Sequence, residues 1–270
     1  MRNLRPGSLA GLIAASLSIV LAACGPDRGG RHTAAADTVR VLAYNIHHGE
    51  GMDSALDLAR IAALVRSARP DLVAVQEVDS VVERTGGVDQ AAELAALTGM
   101  RHALGSFMPY QGGAYGMAVL SRWPIALAEN IRLPDGEEPR TALSVIVELP
   151  RTGARLRFVG IHLYRTEKER LAQARSLEEH LGSDSLSTVL AGDFNSQTGT
   201  AVMEHLASTW DIVEKREDAF TFPSTAPERE IDFVLLRPAD RFEVLSERLI
   251  DEPVASDHRP VIVDLVVRPR

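Results

Sequence analysis

The residues with most chemistry to offer stand at the ends of apolar runs. Ser187-Thr188-Val189-Leu190 is β-branched and apolar, and after Ala191-Gly192 it delivers Asp193 and Asn195 with Phe194 between them. In extended chain, residues two apart face the same side. A carboxylate and an amide are thus presented together, while Phe194 turns away as an anchor. Held side by side, the two can grip one water molecule and aim it. Gly, Asp and Asn are also turn formers, so the stretch alone reads equally well as a plain turn. Three further runs end in the same manner: Val39 to Ala43 leads to Asn45, Leu72 to Val75 to Glu77, and Leu156 to Ile161 to His162. By alternation Glu77 shares the face of Val73 and Val75. A carboxylate there needs a counter-charge, and a divalent cation with oxygen ligands is the sharper answer, a solvated strand end the plainer one. Asp232 opens Phe233 to Leu236, and Asp257-His258 precedes Val261 to Val267. Asp232 can orient His258 through one ring nitrogen while the other faces a substrate. If these strands lie side by side, their polar ends meet.

The elements that would place them alternate in type. Thr38 to Ile46 is apolar on both faces, as a central strand requires. Ser54 to Arg69 carries Leu58, Ile61, Ala62, Val65 and Ala68 at helical spacing and stops at Pro70. Asp71 to Val78 is a second buried strand, and Ala91 to Leu97 a short helix. Strands are expected over 101–108, 115–121, 125–133, 141–149 and 156–162. A charged helix follows over Glu167 to Gly182, its Glu and Arg residues read as a solvated face. After Asn195 come a mostly helical Thr198 to Ala207, strands over 230–236 and 261–267, and 241–250 as a strand with a helix the alternative.

The first 37 residues stand apart. Arg2 and Arg5 precede an uncharged apolar stretch, Leu9 to Ala23, that ends Leu21-Ala22-Ala23 before Cys24, the sole cysteine. This looks like a lipoprotein signal peptide over 1–23, with Cys24 the acylated first residue of the mature chain. Residues 24–37 read as a tether, and 38–270 as one catalytic domain. The expected location is the cell envelope outside the cytoplasm, membrane-anchored through the lipid, in the outer membrane if the host has two. From residue 24 onward the chain carries 27 basic and 37 acidic residues, a net charge of −10.

In order, Tyr44-Asn45-Ile46, Gln76-Glu77-Val78, Gly160-Ile161-His162, Gly192-Asp193-Phe194-Asn195, Ile231-Asp232-Phe233 and Ser256-Asp257-His258-Arg259-Pro260 resemble the endonuclease/exonuclease/phosphatase family of metal-dependent phosphoesterases, across Thr38 to Val267. The resemblance implies an α/β fold, a four-layer α/β/β/α sandwich with two mixed β-sheets face to face and helices outside. It implies hydrolysis of phosphate esters by metal-assisted in-line attack of an activated water. Glu77 is then the principal ligand of Mg²⁺, with Mn²⁺ the alternate ion, assisted by Asn45 and by Asp257. Asp193 and Asn195 activate and position the water. Asp232 and His258 form a dyad, and His162 stabilises the phosphoryl oxygens or protonates the leaving oxygen. The base is left open between Asp193 and His258. Two departures stand out: His47 replaces an acid common in the nucleases, and Met117 an asparagine common in relatives.

The charge of −10 bears on the substrate, since a polyanion is repelled and nucleic-acid binders gain by releasing counterions to a basic stripe. Arg84 and Arg140 are the expected substrate-binding residues. With Arg165 and Lys168 they are few, scattered, and not interleaved with aromatics. The expected substrate is therefore a small or lipid-derived phosphodiester. A nuclease is the alternative, and a non-catalytic surface binding protein on the same scaffold the second. Oligomeric state is left open.

Overall fold

The computed structural model describes residues 36–182, 186–215 and 219–269. The signal peptide, Cys24 and nearly all of the tether lie outside the described residues. The described residues build twelve strands: β1 (Asp37–Asn45), β2 (Leu72–Ser80), β3 (Arg101–Tyr110), β4 (Gly113–Ser121), β5 (Ile125–Arg132), β6 (Thr141–Glu148), β7 (Arg155–His162), β8 (Ser187–Asp193), β9 (Asp211–Ile212), β10 (Asp232–Arg237), β11 (Phe242–Leu249) and β12 (Val261–Val267). Four α-helices accompany them: α1 (Leu58–Ala68), α2 (Gln90–Thr98), α3 (Glu167–Leu181) and α4 (Ala201–Ala207). The strand order is β11-β12-β1-β2-β4-β3 in one sheet and β5-β6-β7-β8-β10-β9 in the other.

Each sheet is antiparallel except for one central pair, β1 with β2 and β7 with β8. A parallel pair needs a crossover, which α1 and α3 supply. Alternation then sorts the apolar residues into three layers. Val39, Val41, Ala43, Ala74, Phe158, Val189 and Ala191 fill the space between the sheets. Leu42, Tyr44, Val73 and Val75 pack with Ile61, Val65 and Leu94 of α1 and α2. Val159, Ile161, Leu190 and Phe194 pack with Leu177 of α3 and Leu206 of α4. This is the expected four-layer sandwich. Each large side chain buried in it contributes roughly 2 kcal/mol, which offsets the desolvation of the polar groups placed at one end of the sheets.

Several local details differ from expectation, among them the unexpected β9 and the later start of α4 at Ala201. β1 starts at Asp37, one residue early, because the buried Asp37 carboxylate accepts from the backbone N–H of Arg151 and Thr152. α1 starts at Leu58 rather than Ser54, because the Asp57 side chain caps it by accepting from the backbone N–H of Arg60. Gly192 lies inside β8. Its φ is 145°, and a Cβ there would sit 2.1 Å from the Ile161 carbonyl oxygen and 2.7 Å from Gln76 Nε2. The glycine thus lets β7 and the Gln76 side chain of the opposite sheet approach β8 just before its C-terminal end.

Candidate active site

Because β1 and β2 run parallel, as do β7 and β8, each sheet delivers two C-terminal strand ends at one edge. Asn45 and Gln76 are register partners in one sheet, His162 and Asp193 in the other, and β10 runs antiparallel so that Asp232 faces Asp193. Asn45, His162, Asp193, Asp232 and His258 are all buried. Asn45 joins the sheets: its Nδ2 donates to Glu77 Oε1 at 3.0 Å and to Asp193 Oδ2 at 3.2 Å. Its oxygen accepts from the backbone N–H of His47 at 3.0 Å.

Glu77 does not keep to the Val73 and Val75 face. The β2–β4 register slips between Gln76 and Val78, and Glu77 takes a φ of 57°. A bulge of this kind re-aims one side chain without ending the strand. Val78 returns to the helix-side layer, while Glu77 swings to Asn45 and the inter-sheet edge. Asn195 also adopts a left-handed conformation, with φ 48°. Its backbone N–H donates to Asp193 Oδ1 at 2.8 Å and its Nδ2 to the Leu163 carbonyl at 2.9 Å. Phe194 is fully buried against Phe233 on the far face, the anchor expected of it.

The Asp232–His258 dyad is present, with Nδ1 donating to Asp232 Oδ2 at 2.9 Å. The other ring nitrogen, Nε2, lies 3.7 Å from Asp193 Oδ2, and His162 Nε2 lies 3.5 Å from the same oxygen. Burial lowers the affinity of His258 for its proton, but the charges of Asp232 and Asp193 and the Asp232 hydrogen bond outweigh it, raising the pKa to about 10. Burial pushes the Asp193 carboxyl up, with Asp232 adding to it against His258, Asn195 and Asn45, to about 7. Burial holds His162 well below the usual imidazole range, and the charges of Arg140, His258 and Arg165 reinforce it. At neutral pH the cluster therefore holds a neutral His162 and a charged His258 around a carboxyl poised near its midpoint.

The cluster opens on a cleft of about 780 Å³. Asp257 lines it, as do five arginines: Arg84, Arg140, Arg165, Arg170 and Arg229. The expectation of few basic groups near the site is thus corrected, although net charge is negative. Lys168 lies in a different recess. Arg170 and Arg229 were hidden in the sequence because the first sits in the opening turn of α3, read as a solvated face, and the second in a loop. Burial lowers the pKa of Arg170, against the nearby charges of Glu167 and Asp193. Arg84 reaches back to the fully buried Asp79 with two hydrogen bonds of 2.7 and 2.8 Å. Arg140 is buried, bonded to Glu138 and lying over the Phe107 ring at 4.9 Å. Met117 is fully buried in the inter-sheet core and does not line the cleft, so its departure from the asparagine common in relatives leaves the pocket no more apolar.

Two groups offer converging donors to a cation: His47, His48 and Glu77, and Asp193, Asp232 and His258, each with one donor atom per residue within 4.8 Å of the others. Asp232 Oδ1 and His48 Nδ1 are buried without a hydrogen-bond partner among the described residues. Carboxylates and orphaned buried lone pairs suit a divalent cation, and the first group suits one better than the second, where His258 is charged.

The model of the endonuclease/exonuclease/phosphatase family matches residues 42–258, from β1 through the Asp232–His258 dyad. The chain belongs to that family. The uncharacterised protein YbhP of Escherichia coli is 29% identical over 241 residues, which cover 84% of this chain and 95% of YbhP. A family member from Beutenbergia cavernae superposes with a TM-score of 0.70 at 24% identity, over 86% of this chain and 72% of that one. The mannosyl-6-phosphatase of Bacteroides thetaiotaomicron does so with a TM-score of 0.67 at 19% identity, over 84% of this chain and 99% of that one. Both show the same fold. Members of the family are hydrolases acting on phosphate esters and depend in general on a divalent metal.

Proposed function

We propose that this family member hydrolyses a small or lipid-derived phosphate ester, most readily a diester, by in-line attack of a water activated at Asp193. The observation that carries this reading is the placement of the Asn45–Glu77–Asp193–His258–Asp232 cluster at the floor of a cleft rimmed by five arginines. Guanidiniums bind phosphoryl oxygens in their fixed fork geometry. Asp193 serves as the base, because His258 is already protonated at neutral pH and cannot accept a second proton. The His258 imidazolium and the arginines stabilise charge that develops on the phosphoryl oxygens. Asn195 holds Asp193 in place, and the neutral His162 stands beside it to donate to a phosphoryl or leaving oxygen. A divalent cation held at Glu77 would supply charge neutralisation at the phosphoryl group.

A cleft of this volume matches a small ligand. The aromatic residues at its edge are committed elsewhere: the Arg84 guanidinium lies 4.9 Å over Tyr110 and 5.3 Å over Tyr115, and Arg229 lies 4.5 Å over Phe222. They are poor platforms for stacked bases. The test compares small diesters, monoesters, phospholipids and duplex DNA at several salt concentrations. Small or lipid esters should be the better substrates. If DNA is cleaved best and its cleavage falls steeply with salt, as several phosphate contacts require, the enzyme is a nuclease. If no ester is cleaved with any divalent ion, the chain is the binding protein.

The acid–base assignment predicts a bell-shaped pH dependence. Activity needs Asp193 ionised and His258 protonated. It should therefore rise with pH through an acid limb at or below about 7 and fall through an alkaline limb near 10. A cation beside Asp193 moves the acid limb down, and the His258 limb with it. A rate that declines steadily between about pH 6 and pH 8 would contradict the assignment. We also propose that Cys24 carries lipid and fixes the protein to the cell envelope, outside the cytoplasm. Cys24→Ser should then release the protein from the membrane fraction or leave it uncleaved.

A further inference from the structure

The geometry points to a nitrogen-rich cation site, in which His47 and His48 join Glu77 and select a first-row transition ion such as Mn²⁺, Co²⁺ or Zn²⁺ over Mg²⁺. This deepens the metal-dependent reading given above and rests on it for its role in the reaction, though not for binding itself.

The two histidines are arranged as ligands are. His47 Nδ1 donates to the Glu50 backbone carbonyl at 3.2 Å, and His48 Nε2 to the Glu50 carboxylate at 3.4 Å. One residue thus fixes the tautomer and orientation of both rings, the outer support that metal-bound imidazoles usually have. The second nitrogen of each ring is left over. For His48 it is Nδ1, which is buried and has no partner among the described residues. Such an orphaned acceptor is costly unless something occupies it. One donor atom from each of His47, His48 and Glu77 falls within 4.8 Å of the others.

The backbone is bent to bring this about. His47, His48 and Gly49 are consecutive residues with φ of 47°, 44° and 81°. Two non-glycine residues in a row in the left-handed region are uncommon, and such strain persists where surrounding structure requires it. The Asn45 amide turns its nitrogen to Glu77 and Asp193, and its oxygen already accepts from the His47 N–H, leaving one lone pair for any ion at this corner. The cluster itself is two imidazoles and a carboxylate. Mg²⁺ wants an octahedral oxygen shell, whereas imidazole suits the later transition ions.

The experiment is metal binding, independent of turnover. Full-length protein stripped of metal is titrated with Co²⁺, followed by its d–d absorption, and with Mg²⁺ in competition. Mn²⁺-loaded protein is examined by pulsed electron paramagnetic resonance. Expected results are Co²⁺ binding that Mg²⁺ displaces only in large excess, and nitrogen couplings on Mn²⁺. In His47→Asp, Co²⁺ affinity should fall by about tenfold or more while Mg²⁺ binding is kept or improved; in His48→Ala the Co²⁺ spectrum should change. The proposal is overturned if wild-type Mn²⁺ shows no nitrogen couplings, which needs no variant to fold. It is equally overturned if folded His47→Asp and His48→Ala bind Co²⁺ as wild type does, or if Mg²⁺ competes on equal terms. Nitrogen-ligated Co²⁺ in a protein that cleaves no ester would remove the proposed activity and leave the site standing.

Discussion

Glu77→Ala should give a folded protein whose phosphoesterase activity is lower by about three orders of magnitude or more. The side chain is only partly buried, and its one hydrogen bond among the described residues is the one it accepts from Asn45. Its removal therefore leaves no large cavity. Glutamate and alanine both carry a Cβ, so the left-handed φ of 57° is no more strained in the variant than in the wild type. The loss is chemical: among the described residues, Glu77 is the carboxylate whose donor atom converges with those of His47 and His48. Glu77→Gln, which keeps the shape and the Asn45 contact, should lose nearly as much. Circular dichroism and a melt establish folding, and initial rates on the best ester give the activity. A folded variant running near the wild-type rate would remove Glu77 from the mechanism.

Asp193→Asn should show a sharper signature, losing activity while gaining stability. As the base, Asp193 is worth about 10²–10⁴ in rate. The same carboxylate is expensive to keep. Its folded-state pKa stands near 7, above the ordinary 3.8, so the native state holds a proton that the unfolded chain has released. Wild-type stability from this group is present at low pH and is lost as pH rises from about 4 through 7. Asparagine has no charge to desolvate. The variant should therefore melt above wild type at pH 8, with the margin shrinking toward pH 4. His258 keeps Asp232 as its partner in the variant. Equal or lower stability of Asp193→Asn at pH 8 would show that Asp193 is not a burdened carboxylate. Activity retained would show that the base lies elsewhere.

What the sequence disclosed, and what it hid, follows from how far each signal reaches. Asn45, His162 and Asp193 were legible because a polar residue closing an apolar run is a local pattern, and two parallel strand pairs carry those ends to one edge. The sandwich was legible from doubly apolar strands together with the resemblance. The turn of Glu77 was not, since a bulge depends on the register of β4, a strand some forty residues away. Arg170 and Arg229 were missed because a charge on a helix or loop looks solvated until tertiary packing shows what it faces. Arg84 was found, but its clamp on Asp79 was not, because burial of that aspartate is a property of the folded layer. His47 was seen only as a missing acid, and the left-handed turn that makes it a ligand candidate has no sequence rule beyond the glycine that follows.

Asn45 makes the reaction centre a gauge of how the two sheets sit on one another. Its amide spans from Glu77 on one sheet to Asp193 on the other through contacts of 3.0 and 3.2 Å, and hydrogen bonds weaken steeply beyond such lengths. A slide of one sheet by about an ångström would part Glu77 from Asp193 while leaving every strand intact. Substitutions far away in the shared layer, at Phe158 or Val189 for instance, bear directly on that alignment. Turnover should therefore decay before the melting curve does when this layer is repacked, and the layer's composition is constrained by catalytic alignment as well as by stability.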